Sequence, residues 1–362
     1  VLGAFCPPVK PKPPFNPHLE KAREIAIILL QFGGPDSLEA VEPFLYNLFC
    51  DPDIFQLPFV STEGIGGWLN RHLQQSAAKF ISSRRAPVVK EKYAEIGGKS
   101  PIIEKTNEQV EALQKYLDTH YPDIKTTVRL AARYWNPLTA ATMESLVRDN
   151  ITDVILLPLY PQYSVVNAGS SFHEWERQTK AHNANFNERR IREFYTNEKY
   201  IASLNARIEE GLAEFQNPDS VYLLFSAHGT PLDIVKRGDP YSHQIRETME
   251  LIMKTNGRNN PYMLSFQSKV GPKKWLKPST HDTLLELGMK GITDMLVVPI
   301  AFVSDHIETL HELNIEERVT AESAGIKNYS IMQGLNDHPL FIECLADIAL
   351  TKIHSLPLMK QE

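Results

Sequence analysis

Ile151-Thr152-Asp153-Val154-Ile155-Leu156-Leu157-Pro158-Leu159 returns later in the chain as Ile292-Thr293-Asp294-Met295-Leu296-Val297-Val298-Pro299-Ile300. Each copy opens on Ile-Thr-Asp, runs through consecutive apolar residues and reaches a proline at the same step. A short run that is apolar at every position suits a strand covered on both faces, because alternate side chains point to opposite sides of a sheet. Two further correspondences keep the same order: Gly34-Pro35 against Gly229-Thr230-Pro231, and Arg133-Tyr134-Trp135-Asn136-Pro137 against Ser268-Lys269-Val270-Gly271-Pro272. The chain therefore contains one unit twice.

Working outward, apolar runs at Ile25 to Phe32, Thr127 to Ala132, Asp153 to Tyr160, Val221 to Ala227, Tyr262 to Gln267 and Met295 to Val303 each precede a helix-like stretch. That alternation predicts an α/β fold of two similar Rossmann-like domains, each a parallel sheet flanked by helices. The expected layout is a proline-rich extended tail over 1–21, then a first domain over 22–164 enlarged by an insertion at about 36–100. A second domain follows over 165–334, and a C-terminal segment, 335–362, supplies a helix expected to pack back on the first domain. Ligands of open α/β sheets bind beyond the carboxyl ends of the strands, which points to a cleft between the domains.

The 362 residues, 42% hydrophobic and 23% charged, suffice for two ordinary cores. A formal net charge of -6 with no basic run argues against nucleic acid as a partner. Cys6, Cys50 and Cys344 have no spacing of a zinc knuckle or redox pair, which suits a reducing cytoplasm. The most apolar stretches are strand-sized, so no membrane-spanning helix is expected. The first 18 residues lack the apolar core of a signal peptide. Gly33-Gly34-Pro35 and Gly64-Ile65-Gly66-Gly67 do not form a dinucleotide or P-loop pattern between a strand and a helix.

Three groups of residues could carry chemistry. His228, in Ser226-Ala227-His228-Gly229-Thr230-Pro231, follows a strand and is placed to accept protons near neutral pH or simply to bond within a tight turn. Asp305, Glu308, Glu312 and Glu316 fall along one side of an α-helix at about 100° per residue. Such a stripe is either a solvated helix face or a set of oxygen ligands for divalent cations. His306 and His311 are five apart and lack the four-residue spacing of a zincin site. Arg133 and Tyr134 close a strand, while Tyr93 and Ser100 flank Gly97-Gly98; these types can hold carboxylates and flank a flat apolar ligand, or merely pack. Trp275 reads as a core tryptophan.

Together these segments resemble the ferrochelatase family. The resemblance is carried by Phe32-Gly33-Gly34-Pro35, Phe44-Leu45 to Asp51, Arg133-Tyr134, Leu157-Pro158-Leu159-Tyr160-Pro161-Gln162-Tyr163-Ser164, Phe225-Ser226-Ala227-His228, Arg237-Gly238-Asp239-Pro240-Tyr241, Gln267-Ser268-Lys269-Val270-Gly271-Pro272 and Ser304 to Glu308. They run in family order from about Glu24 to Leu350.

The resemblance implies insertion of Fe²⁺, as a substrate, into protoporphyrin IX with loss of two pyrrole protons. Coproporphyrin III is the nearest alternative substrate, and a tetrapyrrole or metal carrier or a cobalt chelatase on the same fold are the competing classes. It further implies that His228 and Glu308 face the macrocycle and handle metal and protons, with Asp305 and His306 in the same polar wall and Glu312 and Glu316 as an outer metal conduit. Phe32, Tyr93, Ser100, Arg133, Tyr134 and Trp275 match the porphyrin contacts, with Arg133 expected at the rim against a propionate; Phe32 stands where several relatives carry methionine.

The cluster-binding tail of animal relatives is absent after Leu350, and Val165 replaces a cluster cysteine, so no iron–sulfur cluster and no tightly bound cofactor are expected. The 58–81 segment, with Phe59, Ile65, Trp68, Leu69 and Phe80, corresponds to the lip of the cleft and is either a peripheral membrane contact or a packed helix. The sequence carries no signal for oligomeric state.

Overall fold

The structure is a computed structural model, and it describes residues 24–55, 64–268 and 273–353. The expected proline-rich tail, Phe59 and the Lys269 to Pro272 end of one motif lie outside the described residues, as do the side chains of Ile65, Trp68 and Leu69.

The first half runs β1 (Ile25–Gln31), α1 (Val41–Phe49), α2 (Gly64–Glu95), α3 (Ile102–His120), β2 (Thr126–Ala132), α4 (Thr139–Arg148), β3 (Asp153–Pro158), α5 (Ser170–Ala181) and β4 (Asn187–Arg190). The second runs α6 (Glu198–Leu212), β5 (Tyr222–His228), α7 (Leu232–Lys236), α8 (Tyr241–Thr255), β6 (Tyr262–Gln267), α9 (Thr280–Met289), β7 (Asp294–Pro299), a π-helix (Glu308–Glu316), α10 (Glu317–Ser323), β8 (Asn328–Ile331) and α11 (Pro339–Ile353). The strands form two all-parallel four-stranded sheets, ordered β2-β1-β3-β4 and β6-β5-β7-β8. The repeated sequence occupies the same place in each, as β3 and β7.

The Ile-Thr-Asp opening has a shared task. Asn187 donates to Asp153 Oδ1 at 2.7 Å, and Asn328 donates to Asp294 Oδ1 at 2.7 Å, so each aspartate ties the start of its strand to the polar edge strand beside it. The outer match needs one adjustment. Ala132 N–H donates to Pro137 O, and its counterpart Phe266 N–H donates to Pro278 O, which makes Pro278 and not Pro272 the structural partner of Pro137.

The division at residue 164 is corrected by β4, which pairs with β3 and carries the first sheet to Arg190. Asn187-Glu188-Arg189-Arg190 is polar because an edge strand is only half covered, so no apolar run announces it. α11 lies against α3, β3 and α6. Alternate residues explain how the halves join: Ile27 and Leu29 of β1, Ile155 and Leu157 of β3, Leu223 and Phe225 of β5, and Leu296 and Val298 of β7 all enter one core together with α3, α6 and α11. Their neighbours Ala26, Ile28, Val154 and Leu156 face a second core, and Leu224, Met295 and Val297 a third. The halves therefore share one buried core while keeping a separate outer layer each. The insertion forms a fourth cluster from Val41, Leu45, Phe49, Ala78, Ala86 and Tyr93, against which Ile307 packs.

Candidate active site

β5 ends on His228, and the chain leaving β7 places Glu308 at the start of the π-helix. Both side chains are part-exposed at the carboxyl ends of adjacent strands, with His228 Nδ1 2.9 Å from Glu308 Oε2. Burial opposes charge on each, but their mutual attraction wins: the imidazole is raised above its usual range, and the carboxyl is held down to about 2. Gln267 Nε2 and Ser268 Oγ approach the same carboxylate at 3.3 and 3.4 Å.

The helix carrying the acidic stripe is a correction to the 100° reading. Glu308–Glu316 is a π-helix, whose i→i+5 bonding makes a wider turn than the α-helix assumed from the spacing. Its carboxylates have unlike surroundings. Glu312 accepts from Ser268 N–H at 2.7 Å and Ser268 Oγ at 2.6 Å; burial and then the charge of Glu308 push its carboxyl up to about 7. Glu316 is exposed and pairs with Lys92 at 2.7 Å. Ser268, at φ +66, holds a left-handed backbone that serine rarely adopts, and that conformation presents both of its donors to Glu312. Among the described residues, no three His, Cys, Asp or Glu side chains converge as a ready metal cage.

Asp305 belongs to a different network. Its carboxylate accepts from Asn336 Nδ2 at 2.8 Å, Gly334 N–H at 3.2 Å and Thr309 Oγ1 at 3.3 Å, so it staples the turn before the π-helix instead of joining the polar wall with its neighbours. His306 does stand near the pair. Its Nδ1 lies 3.1 Å from Ser304 O, its ring packs 4.4 Å from Phe302, and burial lowers its pKa.

Across the cleft, Tyr93 is buried beside Ser100, its phenol raised by burial and by the charge of Glu308. Gly34 lets the chain pass Ser100: a Cβ there would lie 2.5 Å from Ser100 Oγ. Phe32 stacks on Tyr134 at 5.6 Å and meets Tyr160 at 4.9 Å. Trp275 is only part-buried, with its ring edge-on 6.4 Å from His228, so the core assignment fails: it stands against Gly229 at the cleft wall.

Arg133 departs most from expectation. Instead of an open rim it occupies a buried cluster: NH2 lies 2.9 Å from Asp51 Oδ2, Nε donates to Ser170 at 2.9 Å, and the guanidinium sits 4.8 Å above the Tyr134 ring. Tyr134 and Ser170 also donate to Asp51. Burial would raise the Asp51 carboxyl, but Arg133 and these donors hold it low. Asp51, Ser170, Gln267 and Ser268 escape sequence reasoning as site residues because their partners, from 36 positions away for Ser170 and Tyr134 to 119 for Ser170 and Asp51, leave no local spacing to read.

A family model described as Ferrochelatase matches residues 24–353. This chain belongs to the ferrochelatase family. It is 42% identical to the ferrochelatase of a Nostoc species over 91% of this chain and 82% of that one. It is also 42% identical to the ferrochelatase of Gloeobacter violaceus over 91% of this chain and 98% of the relative. Among solved structures, SirB from Bacillus subtilis with Fe3+ superposes with a TM-score of 0.48 at 14% identity, covering 69% of this chain and 93% of that one. Within the ferrochelatase family frame, the His228–Glu308 pair and the Tyr93–Ser100 wall are contributed by different halves of one fold.

Proposed function

We propose that this chain inserts Fe²⁺ into protoporphyrin IX, forming protohaem and releasing two protons. One observation carries the reading: a His228–Glu308 ion pair lies beside Glu312, a carboxyl brought to about 7, at the strand ends where the domains meet. Exchange of two N–H protons for a dication needs acceptors that change state near neutrality. Glu312 is one. His228, held as an imidazolium by Glu308, becomes the other acceptor once it has released that proton to solvent.

Phe32 and Trp275, both part-exposed, supply apolar walls for a flat macrocycle, with the buried Tyr134 stacked behind Phe32, and contact along those walls is available to bend the ring and expose its nitrogen lone pairs. Arg133 contributes to propionate binding through whatever donor capacity Asp51 leaves it. The reading includes no tightly bound cofactor and no iron–sulfur cluster.

Peripheral membrane contact through the lip belongs to the same proposal. Among the described residues no helix is long and apolar enough to cross a membrane. α2 nevertheless exposes Leu73, Phe80 and Val88, spaced seven and eight apart and so on one side of the helix. An insoluble porphyrin could be taken up there.

The test is to mix purified protein with protoporphyrin IX and Fe²⁺ or Zn²⁺ without oxygen and follow the visible spectrum, with coproporphyrin III in parallel. Catalytic appearance of metalloporphyrin supports the proposal. Stoichiometric binding with no turnover would replace the enzyme with a carrier, and turnover of coproporphyrin III alone would change the substrate.

A further inference from the structure

The turn that delivers His306 and Glu308 to the cleft, Val303 to Thr309, is held from outside its own segment by two buried amides, Asn336 and Gln109. Asn336 lies in the loop between β8 and α11, is 2% exposed, and has a partner for every polar atom it carries. Its Nδ2 donates to Asp305 Oδ2 at 2.8 Å, and its Oδ1 accepts from Asp305 N–H at 3.1 Å. Its own N–H donates to Val303 O at 2.8 Å. Its carbonyl accepts from Gln109 Nε2 at 2.8 Å, and Gln109 Oε1 accepts from Ser304 Oγ at 3.3 Å. Gln109 is fully buried on α3, the helix that follows the Ser100 wall, so these bonds tie the turn to the first half of the molecule.

The residue type at 336 follows from that geometry. Its φ is +44, a left-handed backbone that asparagine tolerates better than most side chains. Aspartate there would have no donor for the Asp305 carboxylate, and glycine would have no side chain, whereas an amide answers an N–H and a carboxylate oxygen at once. The other Asp305 oxygen, Oδ1, accepts from Gly334 N–H and Thr309 Oγ1, and Thr309 Oγ1 accepts in turn from His306 N–H at 3.1 Å. Asp305 is thus clasped between the 334–336 loop and the first residues of the π-helix. Separately, Ile307 packs against the insertion cluster that holds Tyr93. The segment carrying Glu308 is therefore fixed to the first half at two points, by Gln109 through Asn336 and Ser304 and by Ile307, and these anchors set its distance from the Tyr93–Ser100 wall.

We infer that Asn336 and Gln109 are positioning residues for metal insertion, acting through Asp305 and Ser304 to hold His306 and Glu308 at the separation from the first-half wall that lets the cleft grip and bend a porphyrin. The inference rests on the insertion reading. Polar groups displaced by about 1 Å lose their alignment with the reacting nitrogens, and a shift of that size can cost on the order of 100-fold in rate. Both amides are buried, and their effect reaches the ring through the turn.

Exchanging the two partners tests this. Asn336→Asp alone sets two carboxylates face to face and should lower kcat for Zn²⁺ insertion into protoporphyrin IX at least about 10-fold, with the porphyrin KM within about 3-fold of the parent. Asp305→Asn combined with Asn336→Asp puts a donor opposite an acceptor again, since an amide at 305 keeps the Oδ1 acceptor for Gly334 and Thr309, and should recover most of that loss. Asn336→Gly keeps the left-handed backbone while deleting the clasp, and Gln109→Met keeps the side-chain length while deleting both of its bonds; each should lower kcat several-fold. Rates are compared at a temperature where melts show every variant folded. Resonance Raman lines for out-of-plane distortion of bound protoporphyrin IX give a readout without turnover: they should weaken in the single variants and return in the exchange. Parental kcat and distortion in folded Asn336→Gly would overturn the inference. An exchange that recovers stability but not kcat would overturn it too, and would put Asp305 at the reacting centre. Failure of the insertion reading appears separately, as an absence of turnover in the parent while the distortion pattern still reads the positioning.

Discussion

His228 Nδ1 and Glu308 Oε2 are 2.9 Å apart although 80 residues separate them in the chain, and each holds the other in its charged form. Removing the imidazole should therefore do more than delete one proton acceptor. His228→Ala should lower kcat at least about 100-fold, while porphyrin affinity, carried by apolar walls, changes only a few-fold. Glu308→Gln should have the same signature. Steady-state rates paired with porphyrin fluorescence titrations check both, and near-normal turnover in either variant would remove that residue from the reacting centre.

Glu312 gives a pH dependence of opposite sign to an ordinary ion-paired carboxylate. Its folded pKa of about 7 lies above the ordinary glutamate value of 4.5, so the folded state binds the proton more tightly than the unfolded chain. Its contribution thus favours folding at low pH, declines as pH rises from about 4.5 to 7, and is a net cost above that window. Glu312→Gln should flatten this slope and raise stability at pH 8 by up to about 3 kcal/mol, reduced by the partial exposure of the site. Denaturation midpoints at pH 5 and pH 8 for both proteins test it. The parent rate should also rise with pH through about 7 as this acceptor ionises, and that limb should disappear in the variant.

Arg133→Ala should behave first as a stability variant. It leaves the Asp51 carboxylate, which is fully buried, without its cation, a change that typically costs 3–5 kcal/mol. Arg133→Met combined with Asp51→Asn should recover much of that loss, since both charges go together. Thermal melts of the two variants decide the point. An Arg133→Ala protein as stable as the parent but weak in porphyrin binding would return the guanidinium to the propionate role.

Phe80, 61% exposed on α2 with Arg84 5.0 Å from its ring, is the natural probe of the lip. Phe80→Ser should reduce cosedimentation with anionic lipid vesicles several-fold and leave thermal stability within about 0.5 kcal/mol. Equal cosedimentation of variant and parent would remove Phe80 from any membrane contact.

The repeat at Ile151 and Ile292 determined the α/β class, the doubling of the unit and the strand ends at which functional residues gather, because buried parallel strands must be apolar at every position. His228 and Glu308 were legible for the same reason: polar residues directly after such runs are conspicuous. The polar edge strands β4 and β8 were not, since half-covered strands need no apolar run, and so the first sheet ends at Arg190 rather than before 165. Only the tertiary structure decided that Asp305 staples a turn, that Arg133 is neutralised by Asp51, and that Trp275 stands at the cleft. It also decided that Glu312 and Glu316, alike in spacing, differ in chemistry. Spacing places side chains along their own helix, whereas their partners are set by what other segments bring within a few ångströms: Ser268 donates to Glu312, and Lys92 pairs with Glu316.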